Sequence, residues 1–299
     1  MKKWIKAARL RTLPLSLAGI VLAGFIAASK QSFDICIFVL SVLTAALFQI
    51  LSNFANDYGD GIKGTDNQDR IGPERAIQSG EITPGQMKTA MFITALLSFI
   101  SALSLVLCSF GSGKALLISL YLVLGLAAII AAIKYTVGKK AYGYSGLGDL
   151  FVLLFFGLVS VAGGTYLYTT NWDWTVLFPA FSTGMLSIAV LNLNNMRDLN
   201  SDRLSGKNTI PVKLGLHNAK KYHIILIVLP LFLSQAYIFH HLYCFWQALY
   251  IIPFLLLFVH LMRVIKIVKP QEFDPELKKV ALLTFLYALF FGLGLVLCR

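Results

Sequence analysis

Residues 35–60 read ICIFVLSVLTAALFQILSNFANDYGD, an apolar stretch that closes on a polar end. A helix that crosses a bilayer needs about 20 predominantly apolar residues, which this stretch supplies. The polar residues Gln49, Asn53, Asn56 and Asp60 are spaced by four, three and four residues, so a helix places them on one face. The segment therefore predicts a membrane helix with a polar stripe at one end.

Similar apolar stretches fill most of the chain. Apolar types make up 57% of its 299 residues and charged types 13%, whereas a soluble domain carries about 25% charged residues. This composition excludes a soluble enzyme, a disordered protein and a small secreted disulfide scaffold. Charge-free runs cover residues 12–29, 35–56, 89–113, 115–133, 150–172, 174–196, 222–262 and 280–298.

The run 222–262 is long enough for two spans, with a break expected near the polar pair His240-His241. Each of the other runs is long enough for one span. The sequence therefore predicts an all-α, polytopic membrane protein with nine transmembrane helices, organised as a single domain over residues 1–299.

Cysteine and histidine give no sign of a metal or redox centre. The cysteines are Cys36, Cys108, Cys244 and Cys298. They lie far apart in the sequence and form no CxxC or Cys/His cluster, so they are interpreted as small apolar fillers. The five histidines show no ligand spacing and are assigned no role.

The basic residues predict the orientation in the membrane. With the N-terminus in the cytoplasm, only Lys30, Lys114 and Arg299 of the 26 Lys and Arg residues fall outside, a strong positive-inside bias. A signal peptide over the first run is the weaker alternative, because that run is long. We expect a multi-pass protein of the bacterial cytoplasmic membrane with cytoplasmic polar loops and an external C-terminus. The net charge of +12 is then explained by basic residues that orient the protein in the membrane and contact anionic headgroups or substrates. It does not indicate nucleic-acid binding.

A second polar end closes the sixth predicted helix, Asn194-Asn195-x-Arg197-Asp198-x-x-x-Asp202. Asn195, Asp198 and Asp202 share one helical face. Helices two and six run in the same direction, so both polar ends lie at the same membrane face. An Asp at the centre of a membrane helix costs roughly 2.5–3.5 kcal/mol, which places these carboxylates at a polar cavity or at the interface.

Carboxylate and amide oxygens at two converging helix ends are the ligands that suit Mg²⁺, which proteins usually hold together with substrate phosphates. For any single Asp, the alternative interpretation is that it lies at a helix end in contact with water and binds no ligand. Cations in the three central loops could neutralise a diphosphate. They are Arg70, Arg75, Lys134, Arg203 and Lys207. Together these residues predict a phosphorylated ligand at the cytoplasmic face.

Two motifs resemble a known family. Asn56-Asp57-Tyr58-Gly59-Asp60, paired with Asp198-x-x-x-Asp202, resembles the two Asp-rich motifs of the UbiA-type intramembrane prenyltransferases. Further segments resemble the branch of that family that acts on 1,4-dihydroxy-2-naphthoate in menaquinone biosynthesis. These segments are 53–60, 64–66, 69–73, 134–136, 142–149 and 194–209. One departure is clear, because the family pattern places its last Asp at Gly64 and Asp66 is the candidate replacement.

The resemblance implies nine helices around a central cavity that opens to lipid and is capped by cytoplasmic loops. It implies a catalytic set of Asn56, Asp57, Asp60, Asp198 and Asp202. The implied Mg²⁺ ligands are Asn56, Asp60, Asp66, Asp198 and Asp202. The substrate-binding candidates are Gln49, Asn53, Arg70, Lys134, Tyr135, Asn195 and Lys207. Asp57 has a second interpretation, because it points from a different part of the helix surface and could serve structure.

The implied reaction transfers a polyprenyl chain from polyprenyl diphosphate to 1,4-dihydroxy-2-naphthoate, with loss of CO₂, giving demethylmenaquinone. Two alternatives stay open at this point. One is another acceptor, such as 4-hydroxybenzoate, homogentisate or haem. The other is a cation transporter, whose acidic residues should lie near the membrane midplane on broken helices.

Overall fold

The computed structural model describes residues 2–65, 71–241 and 244–298. Within these ranges nine helices are long and apolar enough to cross a membrane, and no strand is present. The helices are α1 Lys2–Ser29, α2 Ile35–Lys63, α3 Pro84–Phe110, α4 Ala115–Lys134, α5 Gly148–Thr169, α6 Trp174–Arg197, α7 Ile210–Phe239, α8 Phe245–Lys266 and α9 Pro270–Leu297. The predicted all-α membrane fold is confirmed, including the division of the run 222–262 between α7 and α8.

Helix ends follow local capping chemistry. Asp34 precedes α2, and its carboxylate accepts the backbone N–H groups of Cys36 and Ile37 at 2.7 and 3.1 Å. Helix α2 ends at Gly64, whose φ of 70° suits glycine. Thr83 and Gln86 form a capping box at the start of α3, satisfying two backbone donors. These caps set the lengths of the two helices that flank the loop 64–83.

Three of the spans are irregular. Helix α1 is interrupted at Arg9, which has a left-handed φ of 49° between Lys2–Ala8 and the turn Leu10–Thr12. Helix α5 is π-helical over Leu153–Gly163. In α7, Gly215 has a non-helical backbone with φ 75° and separates the first helical turn from the rest. The interruption of α1 matters most for function, because it lies beside the cavity described below.

The nine helices pack as two groups joined by α1 and α5. Helices α2, α3 and α4 contact one another, and α6 contacts α7 and α9, with α8 packed on both α7 and α9. Helix α1 touches α2, α5 and α9, and α5 also packs on α6. Among the described spans α6 is the most buried and α4 the least. The second polar motif therefore ends the helix at the centre of the bundle.

The cysteine interpretation is wrong. Cys244 and Cys298 form a disulfide between the start of α8 and the end of α9. Cys36 and Cys108 lie side by side across α2 and α3, with 2.8 Å between their sulfur atoms. Each pair is far apart along the chain but close in space, because consecutive antiparallel helices bring the start of one beside the end of the next. Sequence spacing does not carry that information.

Two histidines form part of a buried polar chain between helices. His223 Nε2 lies 2.9 Å from His260 Nε2, and His260 Nδ1 lies 2.6 Å from Glu276 Oε2. Lys279 pairs with the other carboxylate oxygen of Glu276. The chain links α7, α8 and α9, and hydrogen bonding of this kind is what allows polar groups to be buried. The sequence assigned these histidines no role, and the structure gives them a packing role.

Candidate active site

A cavity of about 420 Å³ lies between helices α1 to α6. One end is polar and holds Asn53, Asn56, Asp60 and Lys207. The rest is mostly apolar and aromatic, with lining residues that include Ile20, Leu105, Val106, Leu124, Phe155 and Leu167. We call the end of the bundle that holds Asp60 and Asp202 the acidic end and the opposite end the far end. The cavity suits a long apolar molecule with a charged head.

Asp60 of the first motif is held in place by two side chains from outside its own helix. Its side chain is buried and accepts a hydrogen bond from Arg75 Nη1 at 2.7 Å and another from the Tyr144 hydroxyl at 2.8 Å. The same Arg75 nitrogen donates to the backbone oxygen of Asn56 at 2.7 Å. Two loops, one after α2 and one after α4, therefore hold the carboxylate at the cavity from outside the helix.

Gly59 allows one of those loops to approach. A Cβ at this position would lie 2.6 Å from Thr136 Oγ1 and 2.7 Å from its carbonyl carbon, so any larger residue would push the loop away. Thr136 in turn donates to the backbone oxygen of Ala55 at 2.9 Å and lies 3.3 Å from Asn56 Oδ1. The glycine in the first motif thus serves close packing of the loop that carries Tyr135 and Tyr144.

Asp57 has a different environment from its neighbours in the motif. Its buried carboxylate accepts the backbone N–H groups of Ala76 and Ile77 at 3.1 and 3.2 Å. Asn56 and Asp60 line the cavity, whereas Asp57 holds the loop that carries Arg75. These contacts favour the structural interpretation of Asp57, and its membership of the catalytic set stays a prediction.

The remaining stripe residues of α2 face the break in α1. Asn53 Nδ2 donates to the backbone oxygen of Ala8 at 2.8 Å and to Thr12 Oγ1 at 3.2 Å. Gln49 donates to Asn53 Oδ1 at 3.3 Å. Arg9, Thr12, Gln49 and Asn53 all line the cavity. The predicted stripe is therefore one face of α2, and α1 completes its polar surroundings.

In the second motif Asp198 is held by its neighbour in sequence. Arg197 donates to both carboxylate oxygens, with Nε at 2.9 Å and Nη2 at 2.7 Å. The guanidinium also reaches Asp274 on α9 at 2.8 Å and Asn194 Oδ1 at 2.9 Å. A bidentate Arg–carboxylate pair is strong and geometrically specific. Asp198 therefore has a fixed orientation and keeps the lone pairs that Arg197 does not use.

Asp202, the second carboxylate of the second motif, is buried beside Lys207. Burial raises the pKa of its carboxyl to about 6, and the charges of Asp198 and Asp60 act in the same direction, while Lys207 opposes them. The Lys207 ammonium lies 3.4 Å from Asp202 Oδ1. Burial alone would lower the pKa of Lys207, but attraction by Asp202 and Asp60 is stronger and raises it. Lys207 is thus a permanent cation at the cavity.

Tyr144 connects the two motifs. Its hydroxyl bonds Asp60 and lies 2.6 Å from Thr65 Oγ1, and its backbone oxygen accepts the N–H of Asn208 at 2.9 Å. Lys63 Nζ lies 3.9 Å from the centre of its ring, a cation–π distance. Burial and the charge of Asp60 raise the pKa of Tyr144, so the phenol is neutral and donates to the carboxylate.

The structure brings together most of the predicted site. Gln49, Asn53, Asn56, Asp60, Tyr135 and Lys207 line the cavity, and Asp202 adjoins it through Lys207. Lys134 is exposed, whereas Asp57, Asn195 and Asp198 are buried, and none of these four is among the lining residues. Asp66 and Arg70 lie outside the described residues.

Sequence reasoning missed Arg9, Thr12 and Asn194, which all line the cavity. Asn194 was quoted as part of the motif, but the face count favoured Asn195. Arg9 precedes the first charge-free run and Thr12 begins it, and the sequence assigns Arg9 only a topology charge and Thr12 no role. The pattern Arg-x-x-Thr before a membrane helix has no distinctive signal, and the left-handed backbone at Arg9 is not readable from sequence.

The donor set fits Mg²⁺. Among the described residues Asp202 Oδ2 is buried without a hydrogen-bond partner, which is costly for a carboxylate oxygen unless something binds it. Asp60, Asp198 and Asp202 supply three carboxylates, and Asn56 adds an amide oxygen. Hard oxygen ligands of this kind suit a magnesium ion, which proteins usually hold together with substrate phosphates.

The sequence matches a model of the UbiA prenyltransferase family over residues 17–290. The chain is 42% identical to 1,4-dihydroxy-2-naphthoate octaprenyltransferase of Escherichia coli, across 99% of this chain and 96% of that protein. It is 40% identical to the enzyme of the same name from Haemophilus influenzae, again across 99% and 96%.

Solved structures share the fold. A UbiA homologue from Archaeoglobus fulgidus bound to GPP and Mg²⁺ has a TM-score of 0.68 to this chain at 13% identity, covering 98% of this chain and 99% of that one. A homologue from Aeropyrum pernix has a TM-score of 0.63 at 16% identity, covering 98% of each chain. With a family match over most of its length and two full-length relatives at 40% identity or more, the chain belongs to the UbiA prenyltransferase family.

Proposed function

We propose that this protein transfers a polyprenyl group from polyprenyl diphosphate to 1,4-dihydroxy-2-naphthoate. The observation that carries the proposal is that Asn56 and Asp60 of the first motif and Asn194 of the second line the polar end of one apolar cavity. Arg75 and Lys207 line it too, and Lys207 pairs with Asp202. A cation pathway would place acidic groups near the middle of broken helices. Here Asp60 and Asp202 lie at helix ends beside cations, which favours an anionic ligand. The names of the full-length relatives specify the acceptor.

The diphosphate is held at the acidic end. Asn56, Asp60, Asp198 and Asp202 are the residues that would hold Mg²⁺, with Asp66 as a further candidate. When bound, the ion neutralises charge on the diphosphate and so makes it a better leaving group. Arg75 and Lys207 lie beside the same carboxylates, and their charges stabilise the negative charge that grows as the diphosphate leaves. These charges are in place before the substrate arrives.

The isoprenoid tail occupies the apolar part of the cavity. The lining there is aliphatic and aromatic, so burial of the tail is favourable and water is kept from the allylic carbon. Tyr135 lines the cavity close to the polar end, and its ring packs edge-to-face on Tyr142 at 5.3 Å between centroids. Burial raises the pKa of Tyr135, so the ring is a neutral face toward which a developing allylic cation is attracted.

The aromatic acid enters beside the break in α1. Arg9, Thr12, Gln49 and Asn53 give this wall of the cavity one cation and several hydrogen-bonding groups. We assign Arg9 to the carboxylate of the acceptor, because it is the cation on this wall of the cavity, beside Thr12, Gln49 and Asn53. Its left-handed backbone is of the kind found at functional sites.

The chemical step is balanced without an added oxidant. The carboxyl-bearing ring carbon forms a bond with C1 of the prenyl chain as the bond from C1 to the diphosphate oxygen breaks. The bond between the ring and the carboxylate then breaks, CO₂ leaves, and its electron pair restores the aromatic ring. The products are CO₂, diphosphate and demethylmenaquinol, the reduced form of demethylmenaquinone. The protein positions the carboxylate and holds the ring within about 3–3.5 Å of C1.

We infer that the acidic end faces the cytoplasm of a bacterial inner membrane. The basic residues concentrate at the loops of that end, and the N-terminus lies there too. The disulfide between Cys244 and Cys298 lies at the far end, and disulfides persist in oxidising compartments outside the cytoplasm. A cysteine introduced in the loop 71–83 is expected to resist an impermeant maleimide added to intact cells and to react after lysis.

Product analysis of the purified protein tests the proposed reaction. Carboxyl-labelled 1,4-dihydroxy-2-naphthoate and carboxyl-labelled 4-hydroxybenzoate are supplied separately, each with one polyprenyl diphosphate and Mg²⁺. We expect labelled CO₂ and a prenylnaphthoquinol from the naphthoate. Prenylated 4-hydroxybenzoate with its label retained, and no product from the naphthoate, would assign the chain to another acceptor branch. Ion uptake into vesicles without any prenylated product would reject the transferase altogether.

A further inference from the structure

We propose that Cys36 and Cys108 form a second disulfide, at the far end of the bundle, in the membrane-inserted protein. Cys36 lies in the first turn of α2 and Cys108 in the last turn of α3. Their sulfur atoms are 2.8 Å apart, and a disulfide bond needs them at about 2.05 Å. Both residues are exposed, so an oxidant can reach them with no opening of the helix bundle.

The position of the pair repeats that of the disulfide already formed. Cys244 and Cys298 join the start of α8 to the end of α9, and Cys36 and Cys108 bring together the start of α2 and the end of α3. Because the helices alternate in direction, all four of the cysteines in the chain lie at the far end. Each pair would join two antiparallel helices at the face away from the active site. This placement matches the oxidising side of a bacterial inner membrane.

A metal site is the competing interpretation, since ligand atoms of Asp34, Cys36 and Cys108 lie within 4.8 Å of one another. Two thiolates bound to one tetrahedral zinc ion lie about 3.7 Å apart, because each Zn–S bond is about 2.3 Å long. The sulfur atoms here are closer than that. One oxygen of the Asp34 carboxylate, Oδ1, also accepts two backbone N–H groups as the cap of α2. The geometry therefore favours a sulfur–sulfur bond.

Formation of the bond requires a thiol–disulfide oxidant outside the cytoplasm. One cysteine thiolate attacks the disulfide of an oxidoreductase, giving a mixed disulfide and releasing one oxidoreductase thiolate. The second cysteine thiolate then attacks the mixed disulfide, forming the Cys36–Cys108 bond and releasing the other. Two electrons pass to the oxidoreductase, and the two protons of the original thiols are released. The proposal depends on the orientation of the protein and not on its catalytic reaction.

Thiol trapping in intact cells tests the proposal. Cells producing the full-length protein are treated with N-ethylmaleimide, and the protein is then denatured, reduced and labelled with a polyethylene glycol maleimide. We expect all four cysteines to escape the first reagent and to take the second. In Cys36→Ser, Cys108 should become reactive to N-ethylmaleimide, while Cys244 and Cys298 stay protected. Mass spectrometry of non-reduced peptides should identify a linked pair containing Cys36 and Cys108.

The protected pair Cys244 and Cys298 is the internal control for the compartment. N-ethylmaleimide on both Cys36 and Cys108 of the parent protein, with that pair protected, would overturn the proposal. Linkage of Cys36 to any cysteine other than Cys108 would also overturn it. Prenyl transfer by Cys36→Ser should stay within about twofold of the parent rate, because the residue is remote from the reacting atoms. A failed disulfide and a failed reaction are therefore separate results.

Discussion

The two Asp-rich motifs hold their carboxylates in different ways. Asp60 in the first motif is held by Arg75, 15 residues away, and by Tyr144, 84 residues away. Asp198 in the second motif is held by the adjacent Arg197. The orientation of Asp60 therefore depends on how two loops fold over α2, whereas that of Asp198 depends mainly on its own helix end and on Asp274.

This difference separates binding groups from their supports. Asp60 lines the cavity, and Asp202 carries charge that the protein does not fully satisfy, since its Oδ2 has no partner among the described residues. The side chains that act as supports form their hydrogen bonds with neighbouring protein groups. They are Asp57, Arg197 and Tyr144. Substitution of the first kind of residue should affect chemistry, and substitution of a support should affect geometry or stability. The predictions below test that division in order of decreasing effect.

The largest loss is expected for Asp60→Asn and for Asp202→Asn. Each change keeps the shape of the side chain but removes a charge from the set that would hold Mg²⁺ and diphosphate. We expect turnover to fall at least about a thousandfold, a loss of about 4 kcal/mol in transition-state stabilisation. The measurement is the initial rate of prenylnaphthoquinol formation, with Lys134→Ala as the exposed control. Either variant keeping a tenth of the parent rate would remove its carboxylate from the reaction.

Arg75→Ala should produce the next largest effect. The Arg75 guanidinium holds Asp60 and contributes positive charge at the diphosphate, and loss of one such donor costs about 100-fold in rate. Arg75→Lys keeps the charge without the forked geometry and should recover part of the rate. Arg203→Ala is the matched control, because Arg203 is an exposed cation of the short helix Leu199–Leu204. Equal rates for Arg75→Ala and Arg203→Ala would show that Arg75 serves only membrane topology.

Asp57→Asn should affect stability more than chemistry. The Asp57 carboxylate accepts two backbone N–H groups of the loop that carries Arg75, and weakening these charge-assisted bonds should cost about 1–3 kcal/mol. We expect a lower melting temperature in detergent, with a rate per folded molecule far closer to the parent than that of Asp60→Asn. A normal melting temperature together with a thousandfold loss of rate would return Asp57 to the catalytic set.

The membrane helices could be predicted from the sequence because their signal is local. Charge-free runs gave all nine spans, and the helical period placed Gln49, Asn53, Asn56 and Asp60 on one face. These four residues line the cavity. A helical period determines which residues share a face, and the direction of each helix determines the end at which it terminates. Both rules need no knowledge of tertiary contacts.

The features that could not be predicted from the sequence all depend on which helix or loop packs against a given residue. The pairing of Cys244 with Cys298 and of His223 with His260 joins residues on different helices. The approach of Arg75 to Asp60 depends on the path of a loop. Lys134 belongs to the family-like segment 134–136, but its side chain is exposed at the surface. In each case the residue type was visible in the sequence and its partner was not.

The smallest expected loss of rate concerns two adjacent residues, Asn194 and Asn195. Counting helical positions from Asp198 and Asp202 predicted Asn195 at the site. In the structure Asn194 lines the cavity and its Oδ1 accepts a hydrogen bond from Arg197 Nη2 at 2.9 Å, whereas Asn195 is buried away from the lining. The count from Asp198 and Asp202 assumed one continuous helix, but the helical run of α6 stops at Arg197 and a separate short helix, Leu199–Leu204, follows.

Asn194→Ala should therefore lower kcat/KM by about fivefold, equivalent to about 1 kcal/mol for one hydrogen bond that helps to orient Arg197 and, through it, Asp198. Asn195→Ala should stay within about twofold of the parent rate, because Asn195 is not among the residues that line the cavity. Melting temperatures of both variants control for packing losses. The reverse order of rates, with both proteins folded, would restore Asn195 as the substrate-binding residue and show that the end of α6 rearranges when the diphosphate binds.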